Sequence, residues 1–292
     1  MMHYLALASP VGGLEHIFAQ AFLRYAFIAG GAIAAAAGLV GYFVVLRSQV
    51  FTGDALSHVA FTGALAALAA GADLLIGLYG ACILVGLAMA ALGPRGQADD
   101  TVIGSVFAWI LGLGALFLSI YTTSSSGTNA TSGVNVLFGT IFGLSGGQAV
   151  IDTAVSLGIC LAMVVIGRPL LFASLDAAVA SASRVPVRLL GFLFLGLVGV
   201  TAAAAAQAVG ALLLLGLIAA PAGAAQRLTT RPFTGLWLSA GIAVGSLWLG
   251  LLIAYWAPQT PPSFGILAVA TFVYLAAFAL TRNPAARQAA PA

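Results

Sequence analysis

The sequence predicts an all-α integral membrane protein, a polytopic bundle of about nine (eight to nine) transmembrane helices. Three observations carry that reading. Of 292 residues, 62% are hydrophobic and only 6% are charged, where a soluble domain has about a quarter of its residues charged. The apolar runs are of helix length rather than barrel-strand length, and the mean hydropathy is +1.13. The 36 glycines, with abundant alanine, let helices approach closely in lipid, so the bundle is expected to be tight. The whole chain, 1–292, reads as a single transmembrane domain.

The expected spans follow in chain order. The first, 25–46, ends at Arg47. The second, 55–70, closes on "GAD" at 71–73, and the third, 74–92, runs to the polar stretch holding Arg95. The fourth, 102–122, follows Asp99 and Asp100 and leads into the neutral loop "TTSSSGTNATSGVN". The fifth is 149–171. Between Arg188 and Arg227 there is just enough chain for two short spans, 189–206 and 209–225, meeting near Gln207, or for a re-entrant pair. The eighth and ninth, 235–257 and 263–281, flank "APQTPP". Asp99 and Asp100, and separately Asp152 near the start of the fifth span, read as interfacial caps at the positive ends of helices.

The arginines orient this set. With the C-terminus in the cytoplasm, Arg47, Arg95, Arg168, Arg184, Arg188, Arg227, Arg231, Arg282 and Arg287 all fall on the inner side, as the positive-inside rule requires. Only Arg24 lies toward the outside, and nine crossings put the N-terminus outside. The first 20 residues contain Glu15 and His16 but no basic region or cleavage pattern, so no signal peptide is expected. Cys82 and Cys160 are isolated in apolar helices and read as core residues.

All ten basic residues are arginine. A phosphate-binding loop of the GxxxxGK[ST] type needs a lysine, so the chain has no such site. If its work consumes nucleotide, another subunit binds that nucleotide. "LSGGQ" at 144–148 spells an ATPase signature, yet no soluble domain surrounds it. It reads as a Ser/Gly turn and helix start. "NVLFGTIFG" before it reads as a short helix.

"GDALSHVAFTG" (53–63) places Asp54 and His58 seven and eleven residues beyond Arg47. At about 1.5 Å per helical residue, His58 would lie roughly 10–16 Å deep. An ionised Asp at such depth costs on the order of 2.5–3.5 kcal/mol. Positions i and i+4 share a helix face. Carboxylate oxygen and imidazole nitrogen suit zinc, manganese or ferrous iron, and suit cuprous ion poorly. Two ligands are too few for a stable site, and a second copy across a central axis would supply two more. The alternative is that Asp54 caps the second helix while His58 is a hydrogen-bonded core residue.

"VVLRSQVFTGDALSHVAFTGALAAL" resembles the permease subunits of the metal-ion (zinc/manganese/iron) family of ABC importers, whose pattern reads like GDALSHAxxPG. Asp54, Ala55, Leu56, Ser57, His58 and Gly63 match, and Thr62 stands where Pro is usual. The likeness continues through "NVLFGTIFGLS", "SLDAAVASASRVPVRLLGF" and "AVGALLLLGLIAAPAGAAQRLTTRP". It implies a transport subunit of the bacterial cytoplasmic membrane, with no chemistry of its own and no permanent cofactor. The cargo is a divalent metal ion, zinc or manganese, bound by Asp54 and His58. The implied partners are a second copy of the chain, two cytoplasmic ATPase subunits and an extracytoplasmic metal-binding protein; nucleic acid is not among them.

The resemblance also marks 173–186 as a coupling segment that meets the ATPase, with a usual form like DPExARAxGxPV. Asp176, Ala180, Ala182, Pro186 and Val187 are kept, whereas Ala178, Ser181 and Arg184 replace the usual Glu, Arg and Gly. Asp176, Ala178, Ala182, Arg184 and Pro186 are therefore the candidate coupling residues. Asp176 also reads as a plain helix cap, and Pro221 as a residue that shapes its helix. Two other functions fit parts of the sequence less well. A permease for a metal chelate such as a siderophore or cobalamin is usually longer and needs no ligand pair. An ATP-independent secondary transporter often shows inverted repeats, and none is evident.

Overall fold

The computed structural model describes residues 20–93, 99–124, 138–211, 214–257 and 259–282. Among these there is no strand. The helices are α1 (Ala21–Leu46), α2 (Val50–Ala69), α3 (Leu74–Leu92), α4 (Asp100–Ser124), α5 (Gly146–Leu175), α6 (Ala177–Ala182), α7 (Val187–Val209), α8 (Leu214–Leu228), α9 (Pro232–Trp256) and α10 (Pro262–Arg282). Seven of them, α1, α3, α4, α5, α7, α9 and α10, are long and apolar enough to cross a membrane. α8 has 15 residues. α2 has 20 residues but carries Thr52, Asp54, Ser57, His58 and Thr62. Each expected span falls on a helix, with boundaries shifted by up to five residues. α2 begins five residues early, at Val50. The bend between α7 and α8 comes at Gly210, whose φ of 98° breaks α7 where only glycine is comfortable. Most of the loop expected at 122–135 lies outside the described residues.

α1 is the centre of the bundle, packed against α5, α7, α8 and α9. Its run "GGAIAAAAG" has little side chain, and partners lash it through backbone carbonyls. Ser239 Oγ donates to Gly38 O at 2.7 Å, Gln226 Nε2 to Tyr42 O at 2.9 Å, and Trp248 Nε1 to Phe27 O at 3.2 Å. In lipid, where apolar burial does not drive helices together, such bonds and close backbone contact do. The outer helices turn apolar side chains outward: Ile76 is 71% exposed, Trp109 70% and Phe272 72%. Faces of this kind suit contact with acyl chains.

The two ends of the bundle differ. At one end gather Arg47, which reaches Ser174 of α5, and Gly93, which lines a groove with the start of α7. Arg227 stacks over Tyr274 and Phe278 there, beside Arg282. At the other end, the Thr140 N–H donates to Gln207 O at 3.3 Å and Ser263 Oγ to Phe138 O at 3.1 Å. Arg47, Arg227 and Arg282, three of the arginines that the sequence placed on one side, thus lie at one end of the bundle, while Arg95 and Arg287 lie outside the described residues. Of the segment expected as a short helix before α5, residues 135–137 lie outside the described residues; Phe138 is helical, and Ile141–Gly143 forms a 3-10 turn.

"LSGGQ" forms a helix start. Ser145 Oγ accepts from Gln148 N at 3.3 Å, and Gln148 Oε1 accepts from Ser145 N at 3.1 Å. That reciprocal pair is a capping box. It also corrects the reading of Asp152 as a cap. Ser145 holds that role, and Asp152 lies inside α5, 1% exposed, accepting a hydrogen bond from Tyr79 of α3 at 3.2 Å. The aspartate ties two helices together rather than closing one.

Candidate functional site

α2 is the helix that carries the ligand candidates, and three neighbours fix its back. Cys82 Sγ of α3 donates to Leu56 O at 3.5 Å. Thr62 Oγ1 donates to Ile110 O of α4 at 3.2 Å. Gly63 faces Gly77 of α3 so closely that a Cβ on either would overlap the other's carbonyl. The glycine at the end of the motif is therefore a packing residue. Cys82 and Cys160 carry free thiols. Gly63→Val is expected to destabilise the protein by about 1–3 kcal/mol, as overpacking does. Thermal unfolding in detergent checks this, with Gly80→Ala as the control, because no atom lies within 4 Å of a Cβ there.

With its back held, α2 presents one open stripe. Phe51 is 68% exposed; Asp54, His58 and Phe61 are half-buried, while Thr52, Gly53, Ala55, Leu56, Ser57, Val59 and Ala60 are buried. The spacing of three, four and three residues is that of one helix face. Asp54 and His58 share it, as the sequence required. Since α2 begins at Val50, Asp54 lies a turn inside the helix, which removes the reading of Asp54 as its cap. The His58 ring meets the edge of Phe107 of α4, with centroids 5.2 Å apart. Ser57 turns away and donates to Asp54 O at 2.6 Å. The helix is unbroken through Thr62, where the resembling pattern has proline.

Chemically, the stripe offers one carboxylate and one imidazole between two aromatic rings. Among the described residues there is no cluster of three or more His, Cys, Asp or Glu side chains. The described residues of one chain therefore bring at most two such side chains to any one site.

The coupling candidates lie at the arginine-rich end. Asp176 Oδ1 accepts from Ala178 N at 2.9 Å and Val179 N at 3.0 Å, which caps α6. Ala180 is fully buried and anchors the six-residue helix. Ala178, Ser181, Ala182 and Pro186 are exposed. Arg184 has φ 61°. The left-handed backbone that makes glycine usual at this position is retained with an arginine in it, at a cost of about 1–2 kcal/mol. A groove of about 790 Å³ runs alongside, lined by Gly93, Ala177, Ser181, Pro186, Arg188 and Leu189 among others.

Comparison with known proteins gives concordant results. The family described as "ABC 3 transport family" matches residues 19–281. The chain is 26% identical over 265 residues to the manganese transport system membrane protein MntC of Halalkalibacterium halodurans, covering 90% of this chain and 89% of that one. It is 27% identical over 258 residues to the manganese import system permease protein ScaB of Streptococcus parasanguinis, covering 88% and 90%. The solved structure of PsaBC from Streptococcus pneumoniae in complex with Fab aligns with a TM-score of 0.78 and 25% identity, over 91% of this chain and 94% of that one. A metal-chelate type ABC transporter in an inward-facing conformation shares the fold, at a TM-score of 0.68 and 18% identity, over 93% and 89% of the two chains.

Proposed function

Because the chain belongs to the ABC 3 transport family, we propose that it is the permease subunit of an ATP-driven importer of divalent metal ions, with manganese as cargo. ATP hydrolysis falls to a separate subunit. The observation that carries the reading is the open stripe of α2, which holds Asp54 and His58 on one face. The manganese in the names of MntC and ScaB supports this choice of ion, and an oxygen and a nitrogen donor suit it. Zinc and iron, expected on the same chemistry, have no such support.

In the proposed assembly two copies face each other across an axis through the α2 stripes. Two carboxylates and two imidazoles then replace part of the ion's water. Phe51 and Phe61 flank the ligands along the path. α6 rests on an ATPase subunit, and an extracytoplasmic binding protein delivers the ion to the opposite end. Each chain crosses the bacterial cytoplasmic membrane nine times, with the 15-residue α8 as the short crossing. The N-terminus is outside and the arginine-rich end is inside.

The test is manganese uptake by proteoliposomes holding this chain and its ATPase, with ATP inside. Uptake that needs ATP supports the proposal. Uptake by the chain alone, without ATPase, would replace it with a secondary transporter. For the orientation, a membrane-impermeant thiol reagent is expected to label Thr260→Cys in intact cells and to leave Ser181→Cys unlabelled. The opposite pattern reverses the topology.

A further inference from the structure

Arg47 follows the last residue of α1, where its N–H donates to Phe43 O at 2.9 Å. An arginine at the end of a membrane helix ordinarily extends its head to water. This one turns inward. Nε donates to Ser174 Oγ at 3.0 Å, and the guanidinium lies over the Phe194 ring of α7, 5.1 Å from its centroid. Phe194 is fully buried. Both terminal nitrogens are buried and meet no acceptor among the described residues. Burial draws the guanidinium down to about 10, which leaves it charged at neutral pH. A buried cation with unmatched donors is costly, so its enclosure calls for a reason beyond filling space.

The two ends of the contact supply one. Ser174 is in the last turn of α5 and is two residues before Asp176, the cap of α6. Arg47 directly precedes a closed elbow. There Ser48 has φ 56°, the Ser48 N–H donates to Val45 O at 3.1 Å, and the Gln49 N–H donates to Val44 O at 2.8 Å. α2 leaves this elbow at Val50 and reaches Asp54 within about one turn. A single side chain therefore joins the root of the coupling segment to the root of the ion-binding helix.

We propose that Arg47 is a positioning residue for transport, fastening the inner end of α5, and with it α6, to the elbow that carries Asp54 and His58. This rests on the proposed roles of α6 and α2. A push on α6 moves Ser174, and the Arg47 contact delivers that movement to α2 without a rearrangement of the apolar core. The unmatched terminal N–H groups give the contact a second position. The last turn of α5 ends in carbonyls that lack intrahelical partners, and these form the negative pole of the helix. A shift of α5 brings them within reach of the guanidinium.

The test uses Arg47→Lys, Ser174→Ala and Ser174→Thr in the full complex with its ATPase, reading manganese uptake and ATP hydrolysis on the same proteoliposomes. Lysine keeps the charge but has no Nε–H donor beside a planar stacking head. Arg47→Lys and Ser174→Ala are expected to assemble and to hydrolyse ATP near the unaltered rate. Uptake per ATP should fall roughly tenfold, equivalent to about 1.4 kcal/mol. Ser174→Thr, which keeps the hydroxyl, should retain coupling. A normal ratio in both Arg47→Lys and Ser174→Ala overturns the inference. So does loss of assembly in both, which marks an ordinary structural contact. The unaltered complex and Asp54→Ala run alongside. If the unaltered complex shows no ATP-driven uptake, the functional reading itself fails and takes this inference with it.

Discussion

Asp54→Ala and His58→Ala are each expected to lower ATP-driven manganese uptake by more than roughly a hundredfold, the upper end of what loss of even an outer partner of a metal ligand costs. The expectation follows from the stripe. Each chain offers one carboxylate and one imidazole on the open face of α2, so in the proposed four-ligand site between two copies one substitution removes two ligands. Insertion should not suffer, because removing an ionisable group from a membrane helix lightens the insertion cost. The contacts of Leu56, Thr62 and Gly63 with α3 and α4 lie on the other faces of α2 and remain. The measurement is radioactive manganese uptake, with expression level and ATPase association as controls. Uptake at the unaltered rate in both variants would make the pair structural.

The second large effect is expected at α6. Trp at both Ala178 and Ala182 should uncouple hydrolysis from transport, with uptake falling about tenfold or more, equivalent to about 1.4 kcal/mol at the joint, while ATP hydrolysis continues. The two alanines are four residues apart on an exposed face, and Ala180 between them is buried as the anchor. With Ala178 in place of Glu and Ser181 in place of Arg, a face this small would, in the proposed docking, seat by shape rather than by charge pairs. Ser181→Ala is the internal control. Its hydroxyl only turns back to Ala178 O at 2.7 Å, so its removal should change little. Unaltered uptake with both tryptophans would show that the ATPases dock elsewhere. Asp176→Ala acts differently. It loses two capping bonds and loosens the helix by about 0.5–2 kcal/mol, which proteolysis of the segment would report.

How much of this was legible in the sequence follows the range of the forces involved. Transfer of a segment into lipid depends on that segment alone, so composition located the helices and the arginines grouped their ends. Capping is equally local: Ser145 with Gln148, and Asp176 with the N–H groups of Ala178 and Val179, are readable from three or four residues. The i, i+4 spacing placed Asp54 and His58 on one face of α2. It could not say that this face is the one left open, because small, apolar and hydroxyl residues are mixed on the other faces of α2. Only Gly63 against Gly77, Cys82 at Leu56 and Thr62 at Ile110 decide that. The same limit misplaced Asp152. Near a helix start it looks like a cap, and only the arrival of Tyr79 from α3 makes its burial tenable. Arg47 read as a marker of the inner surface. Its enclosure between Ser174 and Phe194 belongs to the tertiary structure, because a contact across more than a hundred residues depends on how helices pack, and lipid solvates every apolar helix face almost equally well.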